Sequence, residues 1–209
     1  MNGDPRSALD DLAYMRALVE APGNFQRSFG EAYFAAGLCY GLQMLAHAAQ
    51  AMGWLPSAGL VALLISVGPT VVFLGLLTWV IVRERTSGRP IGGAVAKAIG
   101  AVLGSIGIAN LVLAFVIGLV ALRERSLTIW LIYPCAVMVL QGTAWLVIYA
   151  LRRRAWFGAV ALGWYVTGGV MAVGVAYQNF ALFIGAAGAG FLAFMLAPGW
   201  LMMRQSKAA

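Results

Sequence analysis

Six apolar runs, each long enough to cross a bilayer, constrain what this chain can become. They cover residues 31–52, 57–82, 97–122, 127–151, 155–176 and 180–203. A helix needs about 20 mostly apolar residues to traverse the hydrocarbon layer. In that layer each backbone N–H and C=O must find its partner within the segment, so runs of this length fold as helices. Composition agrees, because 10% of the 209 residues are charged, where a soluble domain carries about 25%. The expected fold class is all-α: a polytopic six-transmembrane helix bundle with a short N-terminal amphipathic cytoplasmic helix.

Three units follow from this reading. Residues 1–30 form the amphipathic helix and a juxtamembrane segment, residues 31–203 the membrane domain, and residues 204–209 a short tail. In the first unit, residues 7–21 read as a helix capped by Ser7 with Asp10 three positions on, and ended by Pro22-Gly23. Ala8, Leu12, Met15 and Val19 share one side of it, which suits a helix lying on the membrane surface, under the bundle or against a partner. The acidic start, MNGDPRSALDDLAY, lacks the apolar core of a removable signal peptide. Connections between spans are short, so function is expected within the bilayer or through the first thirty residues.

Orientation follows from counting basic residues, because cytoplasmic loops carry the excess of Lys and Arg. With both termini on the cytoplasmic side, twelve of the 14 lie inside, and only Arg123 and Arg125, flanking Glu124, lie outside. The net charge of +7 is therefore read as a topology signal facing anionic lipid, not as a nucleic-acid-binding surface. The expected location is the cell (inner or plasma) membrane, with the lipid bilayer as constant partner. Cys39 and Cys135 fall in different spans at different depths, so no disulfide is expected.

The first span carries the most informative polar pattern. Tyr33, Tyr40, Gln43, His47 and Gln50 fall within about 100° of one another on a helix with 3.6 residues per turn. Unpartnered amides and imidazoles cost several kcal/mol in hydrocarbon, so this face must turn into the bundle, a wet cavity or another subunit. Asn110 on the third span and Gln141 on the fourth are the natural partners. Tyr40, Gln43, His47, Gln50, Asn110 and Gln141 thus form the candidate binding or cavity-lining set. The same residue types also serve as interhelical hydrogen-bond glue. At the cytoplasmic edge, Arg27 and Glu31 are spaced for an i,i+4 ion pair.

Chemistry is otherwise sparse. One histidine and two separated cysteines do not make a metal site, and nothing at motif spacing supports haem, so no metal and no cofactor are expected. No nucleophile, base and acid can be assembled within the spans, and no phosphate loop or zinc-protease motif occurs. The chain is expected not to be an enzyme. Pro69 and Pro134 interrupt the second and fourth spans. The second and sixth spans end in a tryptophan four residues before an arginine, Trp79-Arg83 and Trp200-Arg204, and Trp145 lies near the end of the fourth. Three helical hairpins in the same sense summarise that pattern.

Small residues at Gly37 and Gly41, at Gly100 and Gly104, and in the Gly185, Gly188, Gly190 run permit close helix contacts. Such contacts form within the bundle or in a homo-oligomer. Two functional readings result. The first is a small transporter, channel or lipid-handling protein using the polar face of the first helix. The alternative is a non-transporting accessory or regulatory subunit that docks a membrane partner protein through its N-terminal helix.

Overall fold

The computed structural model describes residues 24–86 and 94–206, with side chains over 27–86 and 97–206. The expected N-terminal helix over 7–21 and the tail beyond 206 lie outside the described residues. Within them the chain is helical: α1 (Asn24–Ala51), α2 (Gly59–Thr86), α3 (Ala94–Glu124), α4 (Leu127–Arg152), α5 (Ala155–Ala176) and α6 (Phe180–Gln205). Helices α2 to α6 are long and apolar enough to cross a membrane. Helix α1, at 28 residues, matches them in length but not in apolarity, because Arg27, Glu31, Gln43, His47 and Gln50 dilute it.

Three tight connections share one device. Arg125, Arg153 and Gln178 adopt left-handed backbone conformations with φ of 48°, 55° and 54°, and each reverses the chain between consecutive helices. Local side chains then start the next helix. Ser126 Oγ accepts the Ile129 N–H at 3.3 Å, and Asn179 Oδ1 accepts the Leu182 N–H at 3.0 Å, which satisfies donors that a helix start otherwise leaves free.

In space the helices run in the order α2, α1, α6, α5, α4, α3, each packed on the next. Helix α1, first among the described residues, is therefore held between α2 and α6, and α2 and α3 form the two ends of the arc. The α1–α6 seam depends on absent side chains. A Cβ on Gly37 would collide with the Leu196 backbone, one on Gly199 with the Phe34 backbone, and one on Gly30 would stand 2.9 Å from the Gly199 carbonyl oxygen. Gly188 and Gly190 meet Met44 and Thr167, so this part of the glycine run is used inside the bundle. Gly100, Gly104 and Gly107 on α3 face open space.

Pro69 and Pro134 lie within continuous α-helix. The irregularity falls in α6, where residues Leu192–Leu196 form a π turn. Pro198 explains its place: a proline ring obstructs the carbonyl four residues earlier, here Phe194, and removes that hydrogen bond. A widened turn absorbs the mismatch. It also sets Phe194 against Gly163 of α5 and Leu196 against Gly37 of α1.

The core sits on α5 and the inner face of α4. Trp164 and Met171 are fully buried, as is Trp145 at 1% exposure. One end of the bundle collects the start of α1, the end of α2, the start of α3, the α4–α5 turn and the end of α6. That end carries Arg27, Arg83, Lys97, Arg152, Arg153, Arg154 and Arg204, while Arg123 and Arg125 mark the opposite end.

Candidate functional site

The polar stripe of α1 divides into three environments. Closest to the arginine-rich end is Tyr33, which is 6% exposed. Its hydroxyl accepts the indole N–H of Trp145 at 2.5 Å and that of Trp164 at 3.0 Å. Phe29 stacks on Tyr33 at 5.4 Å, and the Trp145 ring meets Tyr33 edge-on at 5.2 Å. Here the stripe turns towards α4 and α5 and acts as a structural knot. Trp145 is thus buried, unlike Trp79 and Trp200, which carry the Arg83 and Arg204 guanidinium groups over their rings at 4.7 and 4.9 Å.

At the far end, hydrogen bonds tie α1 to α2 and to their connection. Gln43 Nε2 donates to the Ser66 carbonyl at 2.9 Å, His47 Nδ1 pairs with Gln50 Oε1 at 2.8 Å, and Gln50 Nε2 donates to the Pro56 carbonyl at 2.7 Å. Ser66, Gln50 and Pro56, not Asn110 and Gln141, are therefore the partners of Gln43, His47 and Gln50. Gln141 is half-buried on α4.

Between these lies the third environment. Tyr40 of α1 packs against Phe73 and Phe191 with ring centroids 5.6 and 5.5 Å apart, and its hydroxyl is directed to Thr70 of α2. From the other side, Tyr133 of α4 directs its hydroxyl to Asn110 of α3. The two phenols lie near each other. Asn110 Oδ1 is buried and has no hydrogen-bond partner among the described residues. A buried carbonyl oxygen left without a donor costs about 1–3 kcal/mol. Among the described residues α2 and α3, the ends of the arc, form no packed seam, and these four polar side chains lie on the four helices α1 to α4 that flank that side.

A charged cluster closes the α1–α2 hairpin at the arginine-rich end. Glu31, with its side chain 18% exposed, accepts from Arg27 Nε at 3.0 Å on one carboxylate oxygen and from Arg83 on the other. Ser28 Oγ donates to Glu84 at 2.5 Å and receives Arg83 at 3.5 Å. The i,i+4 spacing reveals the Arg27–Glu31 pair. The part of Arg83 was missed, yet antiparallel helices joined through residues 52–58 bring together positions at similar distances from that turn, and Glu31 and Arg83 are such a pair.

Among the described residues no group of three His, Cys, Asp or Glu side chains is placed to hold a metal ion, and Cys39 and Cys135 are free thiols. Tyr165, half-buried on α5 against Gly142 of α4, bonds Thr143 at 3.1 Å and takes no part in the inner cluster. No protein-family model, curated protein or solved structure matches the chain.

Proposed function

We propose that the chain is a six-span, lipid-handling membrane protein that admits an amphiphile sideways between α2 and α3. The observation that carries this reading is the placement of Tyr40, Thr70, Asn110 and Tyr133 at the unpacked α2–α3 side. Polar side chains inside the hydrocarbon layer are costly and pair or face a cavity. Here they offer three hydroxyls and an amide to a polar headgroup, and the open side offers its acyl chains continuity with the bilayer.

Helix α1 is the sixth span in this reading. At a rise of about 1.5 Å per residue, its 28 residues exceed the thickness of the hydrocarbon layer. The polar groups that lower its apolarity are paired: Glu31 and Gln43 with α2, Gln50 with the α1–α2 connection, His47 with Gln50 and Arg27 with Glu31. Both termini then lie on the arginine-rich side, which the positive-inside rule makes cytoplasmic.

The test is movement of a fluorescent phospholipid between leaflets of vesicles containing the purified chain, read by reductive bleaching of the outer leaflet. Transfer about tenfold faster than in empty vesicles is expected. Transfer equal to that of empty vesicles contradicts the proposal.

A further inference from the structure

At the arginine-rich end, five helices border a small open cleft with a volume of about 30 Å³. Its walls are apolar: Phe29 of α1, Ile99 of α3, Ile148 of α4, Phe157 of α5 and Met202 of α6. Arg152 and Arg154, from the turn between α4 and α5, complete the lining. We propose that Arg152 and Arg154 at the lip of this cleft bind the phosphate of an anionic phospholipid from the adjoining leaflet, with its upper acyl segment lying over the apolar mouth, a site separate from the α2–α3 gap.

Three observations converge on that chemistry. First, Arg152 and Arg154 stand close enough for their like charges to oppose each other, and among the described residues neither has a carboxylate partner. Two guanidinium groups held together without an anion are relieved by one placed between them, and guanidinium is suited to bidentate phosphate recognition. Second, α5 begins at this lip with Arg154 as its N-cap residue and no side-chain cap. The Phe157 N–H is taken by the Arg154 carbonyl at 3.1 Å, which leaves the Ala155 and Trp156 N–H groups free at the positive end of the helix. Third, the cleft floor is hydrocarbon, which a free inorganic anion cannot use and an acyl chain can.

The two turns of like composition at opposite ends of the bundle make the specificity testable. Arg123 and Arg125 also flank a tight turn, but Arg123 is 86% exposed, contacts Glu124 at 3.9 Å, and does not line the cleft. They provide a charge-matched control.

The experiment is native mass spectrometry of the full chain released from mixed phosphatidylglycerol and phosphatidylcholine micelles. The intact protein is expected to retain phosphatidylglycerol over phosphatidylcholine by about tenfold, the equivalent of 1.4 kcal/mol. R152Q/R154Q should abolish that preference, and R123Q/R125Q should keep it. Arg154 is exposed, so R154Q alone leaves the bundle intact and should reduce the preference by itself. Equal retention of the two lipids, or a preference unchanged in R154Q and in the double variant, overturns the site. Displacement of phosphatidylglycerol by millimolar inorganic phosphate overturns the lipid assignment in favour of a free anion. Loss of leaflet exchange with this preference intact would sink the proposed function alone, so the two claims fail separately.

Discussion

The hydroxyl of Tyr33 receives the indole N–H of Trp145 at 2.5 Å, joining α1 to α4 at a point where both residues are excluded from lipid. The same oxygen receives Trp164 of α5, so one phenol satisfies two buried donors that have no acceptor of their own. Replacing Tyr33 with Phe keeps the ring contacts and strands both N–H groups. At about 1–3 kcal/mol for each stranded donor, Tyr33→Phe should lower stability by about 2–6 kcal/mol. Thermal unfolding in detergent, followed by tryptophan fluorescence, measures this, and an unchanged midpoint would show that the hydrogen bonds contribute nothing.

The glycines separate by position. Gly37 meets the Leu196 backbone and cannot accept a methyl group without moving helix against helix, whereas Gly100 and Gly104 face open space. Gly37→Ala should therefore destabilise by at least about 2 kcal/mol, in the range for overpacking a close seam. Gly100→Ala and Gly104→Ala should be neutral or stabilising by up to about 1 kcal/mol, the helix-propensity difference between the two residues. Thermal midpoints of the three variants in one detergent decide it.

Glu31 bridges Arg27 and Arg83 across the α1–α2 hairpin. Glu31→Ala leaves two guanidinium groups facing one another beside a part-buried site, and charge-assisted hydrogen bonds contribute about 1.5–3 kcal/mol each when well formed. A loss of about 2 kcal/mol is expected, partly recovered in Glu31→Ala combined with Arg83→Gln, because the second change removes the stranded charge. A double-mutant cycle measures that coupling. Strict additivity would show that the pair does not act as a unit.

Arg153 turns the chain from α4 to α5 with φ of 55° and its side chain exposed. A left-handed conformation costs a residue bearing a Cβ about 1–2 kcal/mol, and glycine adopts it freely. Arg153→Gly should raise the unfolding midpoint, with a net gain of about 0.5–1 kcal/mol after the greater unfolded-chain entropy of glycine is subtracted. A lowered midpoint would mean that the Arg153 side chain makes a stabilising contact of its own.

Much of the helical framework was legible in the sequence because apolar length and short polar breaks specify helices in hydrocarbon almost without regard to neighbours. The α1 boundary was less so: the helix begins at Asn24, ahead of the expected span at residue 31, because Ser28 and Glu31 find partners on α2 and Arg27 pairs with Glu31. The polar stripe of α1 was visible, but its partners were not. A helix wheel treats Tyr33, Tyr40, Gln43 and His47 as one face, whereas the neighbours of that face change along its length, from α4 and α5 at Tyr33 to α2 at Gln43. The α1–α6 seam and the π turn before Pro198 were hidden for a related reason. Both depend on which helices lie side by side, and spans of nearly uniform hydropathy carry little information about that order.

The central claim is that the α2–α3 side is open to lipid and lined by Tyr40, Thr70, Asn110 and Tyr133. Gly107 lies one helical turn before Asn110 on the same side of α3 and has free space at its Cβ position, as does Gly75 of α2. Gly75 is two positions from Phe73 and so faces away from α1. The most direct measurement is leaflet exchange of a fluorescent phospholipid in vesicles containing Gly107→Trp or Gly75→Trp at matched protein density. Exchange should fall to the empty-vesicle rate with Gly107→Trp, which fills the gap, and stay at the unsubstituted rate with Gly75→Trp. Full exchange through Gly107→Trp would contradict the lateral route.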